Sequence, residues 1–336
     1  MGADNKPSRL VASLAISDNP RTWPVIDGRV TIDGVDVRTT VLHPSEMFWR
    51  QLKYAEFDIS EMSISSLMIA ASKGDRTWVA IPVFTMRSFF QTWGFKRLDR
   101  GIVTPVDLVG KRVGVPEYQQ TSAIWSRGIF KDRYGLDQRD VEWFMERVPG
   151  KSHGGSTGFQ PPQGVRIQQI PSTTNIGEML VKGELDATLL YLTDKNLVDR
   201  SRIDITQDAH IGPMFADNLR EGQDYLKDTG IFPVNHTLVV RRSLLEQNPW
   251  LGLNILKAFE SAKALTQSRM IEMAEPWQTS SLDASAGPLL QSDPMPYGIK
   301  RNRTVLETLA RYLAEQGLTP APCALEDIFL KQALDL

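Results

Sequence analysis

Strand-like and helix-like segments alternate along this chain, and that rhythm restricts it to an α/β architecture with mostly parallel sheets. Leu10 to Ile16 is an apolar strand candidate, followed by a turn through Asp18, Asn19 and Pro20. Gly34 to Val41 alternates as a half-buried strand does, and Pro44 to Ala55 reads as a helix with Ser45 near its start. Trp78 to Phe84 is a third strand. Further strands are expected at Arg112 to Val115, Val141 to Met145, Val165 to Ile170 and Asp186 to Leu192, with helices from Thr121 or Ser122 to Tyr134 and from Asn175 to Gly183. Beyond residue 230 a strand through Val240 precedes a long helix to about Met270, and a helix from Asn302 to Gln316 stops at Gly317. This helical tail is expected to return to the first lobe. The expected division is therefore 1–95 with 231–336 as one discontinuous lobe and 96–230 as the other, with the ligand in the crevice between them.

Two corners of similar build stand out. Residues 108–125 run from a buried strand through Pro116, Glu117, Tyr118, Gln119 and Gln120 into a helix, and Phe57 to Ser66 again runs a short strand into helix-opening serines. The first turn of a helix leaves backbone N–H groups without intrahelical partners, so such corners can grip a carboxylate. Thr121 and Ser122 fit equally well as caps of their own helix. The glycine-rich stretch 149–158 reads as a surface loop with a solvated His153.

Composition limits the partners. The 336 residues are 41% hydrophobic and 23% charged, enough for two packed lobes, and 38 basic against 40 acidic residues leave a net charge of −2. No general attraction to nucleic acid or to an anionic membrane follows. A lone cysteine, Cys323, excludes an intrachain disulfide and a cysteine-rich metal site. No run approaches the roughly 18 apolar residues of a membrane span, and the amino terminus lacks the pattern of a secretory signal, so a cytoplasmic location is expected. Met and Trp residues in the carboxyl-terminal helices could cover a subunit interface, which leaves a homo-oligomer open.

Dinucleotide, phosphate-loop and zinc-hydrolase signatures are absent. No cofactor is expected, and no ligand spacing supports a metal at Glu117 or Asp18. Of the histidines at 43, 153, 210 and 236, His236 is distinctive because it follows a proline turn inside an apolar strand. It also fits a buried histidine bonded to a backbone carbonyl.

Leu14 to Arg21 with Asp27 to Val30, Phe57 to Ser63, Gly114 to Gln119, Phe232 to Thr237, Pro296 to Ile299 and Glu315 to Leu318 together resemble the 4,5-dihydroxyphthalate decarboxylase family over nearly the whole chain. The resemblance implies a two-lobed type II periplasmic-binding-protein-like fold with a cleft between the lobes. It also implies cofactor-free loss of one carboxylate from a dihydroxylated aromatic diacid. One departure accompanies it: the family is expected to carry Phe-Arg-His where this chain has Phe89-Phe90-Gln91, which removes a cation that could clamp a carboxylate. A solute-binding protein of a transport system and another small-molecule enzyme on the same scaffold stay as alternatives.

No settled catalytic set comes with the resemblance, so roles follow from the residues. Decarboxylating an electron-rich ring needs a proton at the ring carbon and benefits from a base near a hydroxyl, each worth about 10²–10⁴-fold. His236 is the candidate proton donor or hydroxyl partner, and Glu117 the complementary acid or base. Glu117 fits equally as a first-turn acid favoured by the helix dipole. Arg21, Asn19, Ser63, Ser65, Ser66, Gln91, Gln119 and Thr121 are candidate carboxylate and hydroxyl contacts, with Arg21 open to a plain ion pair instead. Tyr118 and Trp125 would desolvate the site, although tryptophans such as Trp125 and Trp143 are more often core.

Overall fold

A computed structural model describes residues 9–280 and 292–336. Residues 1–8, on which the reading of the amino terminus rests, lie outside it. The chain builds two mixed sheets. In the first, β1 (Leu10–Ile16), β2 (Val35–Val41) and β3 (Ile59–Ser63) run parallel and β4 (Trp78–Arg87) lies at the edge. The chain then leaves to form the second sheet from β5 (Phe95–Arg97), β6 (Arg112–Val115), β7 (Glu142–Met145), β8 (Arg166–Gln169), β9 (Ala187–Thr188) and β10 (Ile211–Pro213). It returns as β11 (Val234–Arg241), which slots antiparallel between β3 and β4. The strand orders are β2-β1-β3-β11-β4 and β10-β5-β9-β6-β7-β8. Among the described residues, no helix is long and apolar enough to cross a membrane.

Helices follow the strands as parallel pairing requires. They are α1 (Trp23–Ile26), α2 (Pro44–Tyr54), α3 (Ile64–Ser72), α4 (Thr121–Tyr134), α5 (His153–Thr157), α6 (Ile176–Val181), α7 (Asn218–Thr229), α8 (Arg242–Gln247), α9 (Leu251–Ser280) and a closing helix, Arg303–Glu315. The expected long helix near residue 250 thus splits into α8 and α9. The break falls at Asn248-Pro249, where proline disfavours helical backbone in the residue before it. Asp186 to Leu192 contributes only two strand residues.

α4 is the strut between the halves. It ends on Gly135, whose φ of +73° is a left-handed conformation costly to a side chain with a Cβ. Its Trp125 is fully buried, and the indole Nε1 donates to the Val234 carbonyl at 2.9 Å, tying α4 to β11. Gly128 admits the Tyr312 ring of the closing helix so closely that an added Cβ would sit 2.3 Å from it. Trp143 packs in the same core, edge-on to Tyr118.

Candidate active site

β3 is buried along its whole length, yet it carries Ser60, Glu61 and Ser63. A carboxylate in such a position is costly unless it is bonded. Glu61 is hydrogen-bonded by Ser17 on one side and faced by the His236 imidazole on the other. Ser17 Oγ, just past the carboxyl end of β1, donates to it at 2.8 and 2.9 Å, and His236 Nδ1 on β11 lies 3.5 Å from Oε2. On the other side of the imidazole, Asn235 Nδ2 and His236 Nε2 are 2.9 Å apart. With the Asn235 amide donating, Nε2 is the acceptor and the ring proton sits on Nδ1, facing Glu61. Phe48 meets the ring edge-on, with centroids 4.7 Å apart. The result is a carboxylate-oriented imidazole at the carboxyl ends of β1 and β3.

The two corners singled out by sequence meet at this point. Ser63 Oγ lies 2.8 Å and Ser65 Oγ 2.7 Å from Thr121 Oγ1, Ser65 Oγ donates to the Gln119 carbonyl at 3.0 Å, and Ser66 Oγ donates to Ser63 Oγ at 3.2 Å. α3 and α4 therefore start nose to nose. α2 also opens here, with the His43 imidazole capping it by accepting from Ser45 N–H at 3.3 Å. Three helix starts directed at one spot favour negative charge there. Between them lies a cavity of about 30 Å³, bounded by Pro44, Ser45 and Phe48 of α2, by Ser63 and Gln120 at the two corners, and by His153, Asn235 and His236. That is room for a water, not for an aromatic acid. A larger hollow of about 610 Å³ lies at the other end of β11, beside Val79 and Arg242, away from His236.

Glu117 lies one layer behind the cavity. It is 1% exposed and fully engaged: Arg147 Nη1 donates to it at 3.1 Å, His153 N–H at 3.2 Å, and Gly154 N–H also donates. Arg147, completely buried at the end of β7, also donates from Nε to Asp199 at 2.7 Å and from Nη2 to Ser45 Oγ at 2.6 Å. Burial alone would lower the Arg147 pKa, but Asp199 and Glu117 outweigh it and push it up. Burial likewise favours a protonated Asp199, but Arg147 prevails and holds its pKa below the usual range. The Ser45 contact makes Arg147 a link between the two sheets, reinforced by His153 Nε2, 3.3 Å from the Ser45 carbonyl. Burial pushes the pKa values of His153 and His43 down.

The stretch 149–158 is thus not a solvated loop. His153 is 1% exposed and opens α5, because Ser152 Oγ accepts from Gly155 N–H and Glu117 accepts from the first two amides. Gly154–Gly158 has the Gly-x-Ser-x-Gly spacing, but Ser156 Oγ donates to Ser152 O at 3.1 Å within α5, not on the strand-to-helix elbow a nucleophile needs.

Other candidates lie apart from the cavity lining. Asn19 closes its own turn by accepting from Arg21 N–H, and Arg21 Nη2 donates to the Thr85 carbonyl at 2.9 Å. Tyr118 is core, stacked 3.8 Å from the buried Arg127 guanidinium, and Gln119 bonds Thr157. Trp125 is the α4 strut. Gln91 is buried beside Glu221 of α7, so the Phe90-Gln91 departure falls outside the cavity lining. Sequence reasoning missed Ser17, Asn235, Glu61 as a partner of His236, and the Arg147–Asp199 pair. The one available signal was Glu61 itself, an acid inside an apolar strand. Among the described residues, no group of three or more His, Cys, Asp or Glu side chains is arranged to hold a metal ion.

No protein-family model matches the chain. A 4,5-dihydroxyphthalate decarboxylase from Comamonas testosteroni is 32% identical over 334 residues, 98% of both chains. The chain belongs to the 4,5-dihydroxyphthalate decarboxylase family. A second relative of that name, from Pseudomonas putida, is 37% identical over 182 residues, 54% of this chain and 70% of that one. This family member is a carboxy-lyase. Among solved structures, the periplasmic aliphatic sulphonate binding protein SsuA from Escherichia coli matches with a TM-score of 0.56 at 13% identity, covering 97% of this chain and 93% of that one. The desulfurization enzyme DSZB matches with a TM-score of 0.54 at 14% identity, covering 97% and 98%. The decarboxylase thus has a periplasmic-binding-protein-like α/β fold, as the resemblance implied.

Proposed function

We propose that this enzyme removes one carboxyl group from a hydroxylated aromatic diacid, 4,5-dihydroxyphthalate or a close analogue, giving 3,4-dihydroxybenzoate and carbon dioxide. The observation that carries the reading is the His236 imidazole, set 3.5 Å from the buried Glu61 carboxylate at a cavity toward which α2, α3 and α4 open.

The chemistry follows from that arrangement. The cleft opens, the acid enters, and the helix starts of α3 and α4 attract its carboxylate. Protonation of His236 at Nε2 turns the Asn235 donor away from that nitrogen; the imidazolium then donates its Nε2 proton to the ring carbon bearing the leaving carboxylate, and Glu61 steadies the charge until then. The carbon–carbon bond then breaks, its electron pair restores the aromatic ring, and carbon dioxide departs. Overall one proton is consumed and one carbon dioxide released, with no oxidant or reductant. Neutral imidazole regains its proton from water once the cleft reopens. A ring hydroxyl para or ortho to the protonated carbon feeds electron density into it. In this reading Glu117 is a positioning residue that sets His153 and Arg147 rather than a proton carrier. A solute-binding role has the shared fold in its favour, but transport does not require a carboxylate-oriented histidine.

The test is direct. Purified protein is incubated with 4,5-dihydroxyphthalate and with a panel of other hydroxylated aromatic acids, and products are followed by liquid chromatography with carbon dioxide release. Formation of 3,4-dihydroxybenzoate is expected. If no acid in the panel is consumed, the proposal fails.

A further inference from the structure

Close to the His236–Glu61 pair, four buried polar atoms have no hydrogen-bond partner among the described residues: Arg21 Nε, Thr85 Oγ1, Arg87 Nε and the Tyr297 hydroxyl. Thr85 is 0% and Tyr297 5% exposed. Buried polar groups are normally bonded, so a cluster of exceptions calls for an explanation.

The four gather at the carboxyl end of β4. Arg21 donates to the Thr85 carbonyl at 2.9 Å, and Arg87 donates to the carbonyls of Phe232 and Pro296 and to Asn302 Oδ1. Among the described residues, every acceptor these two guanidiniums reach is neutral. Tyr297 directly follows Pro296, and its hydroxyl lies in the electrostatic field of Arg21, Glu61 and Arg87. Arg87 makes three bonds and reads as a strut. Arg21 makes one side-chain bond and keeps Nε bare, half of the fork with which arginine takes a carboxylate.

The register ties this cluster to the proposed proton donor. His236 pairs with Met86 across the β11–β4 ladder, whose register shifts on either side of His236, so Thr85 lies one residue along β4 from the position opposite His236. An ortho diacid carries its carboxyls on neighbouring ring carbons and needs two neighbouring anion sites. A monoacid would leave one unfilled.

We propose that Arg21, Thr85 and Tyr297 form a second carboxylate subsite, which holds the carboxyl group retained in the product while its neighbour is lost beside His236. The assignment of retained and departing groups rests on the decarboxylase reading above. The existence of a diacid-selective anion site does not.

Isothermal titration with phthalate and with benzoate, neither of which carries the ring hydroxyls that assist decarboxylation, separates the two. Wild-type protein is expected to bind phthalate about tenfold or more tighter than benzoate, as one additional charged hydrogen-bonded contact allows. Arg21→Gln should abolish that preference while changing benzoate affinity less than about twofold, and Tyr297→Phe should reduce it. Arg21→Lys, which keeps the charge, should retain part of it and guards against a folding artefact. Equal affinity for the two ligands in wild type, no phthalate binding, or an undiminished preference in Arg21→Gln overturns the subsite. Absence of turnover on 4,5-dihydroxyphthalate would instead strike only the decarboxylase reading.

Discussion

Replacing Arg147 by methionine tests whether the buried link between the two sheets stands on charge. The side chain is enclosed, with Asp199, Glu117 and Ser45 at hydrogen-bond distance. Methionine fills much of the volume but leaves two buried carboxylates without their cation. Breaking one partner out of a buried ion pair costs about 3–5 kcal/mol. With an unfolding entropy of about 2.1 cal/mol/K per residue, a chain of 336 residues should lose about 4–7 °C in Tm at neutral pH. The pH dependence is the sharper readout. In the wild type Asp199 has a depressed pKa, so its contribution is present above the unfolded carboxylate pKa and is lost as pH falls through the folded value. In Arg147→Met the uncompensated Asp199 carboxyl should have a raised pKa, and the stability it supplies is then present below the unfolded pKa and lost as pH rises. The gap between the two melting curves, recorded by circular dichroism from pH 4.5 to 8, should therefore narrow toward acid. Adding Glu117→Gln and Asp199→Asn should recover part of the loss at pH 8. A gap that stays constant with pH, or a variant as stable as wild type at pH 8, would refute the charge argument.

Three further outcomes follow from the site. His236→Gln should lower kcat by about 10²–10⁴-fold while KM changes far less, and a loss under threefold in steady-state assays would remove His236 from the chemistry. Ser63→Cys with Thr121→Cys joins positions whose hydroxyls are 2.8 Å apart, so oxidation should lock the cleft shut and abolish turnover until a thiol reductant is added. Full activity in the cross-linked protein would show that opening is not required. Trp125→Phe removes the indole bond to Val234 and about 1 kcal/mol with it, read as a small drop in the urea midpoint with activity retained.

Much of the fold was legible in local pattern. Arg112–Val115 and Thr121–Tyr134 have the expected bounds, because an apolar run, a proline turn and a terminal glycine all speak locally. The meeting of the 63–66 and 117–122 segments was also foreseeable, since both are strand-to-helix corners and ligand clefts form at strand carboxyl ends. What escaped depends on distant partners. α5 exists because Glu117, 36 residues upstream of His153, accepts its opening amides, and no propensity within a glycine-rich stretch announces that. Arg147 looks like any surface arginine until Asp199 and Ser45 close over it. Glu61 was visible as an acid in an apolar strand, yet its role appears only once β1 and β11 flank β3 and bring Ser17 and His236 to it.

The placement of β11 between β3 and β4 also makes completion of the first sheet a late event in synthesis. On a ribosome, the amino-terminal strands emerge with a gap that only Val234–Arg241 can fill, while everything needed for the middle sheet is already available. The first sheet therefore cannot close until that late strand has been made, and until then β3 and β4 expose unpaired edges to chaperones or to neighbouring chains.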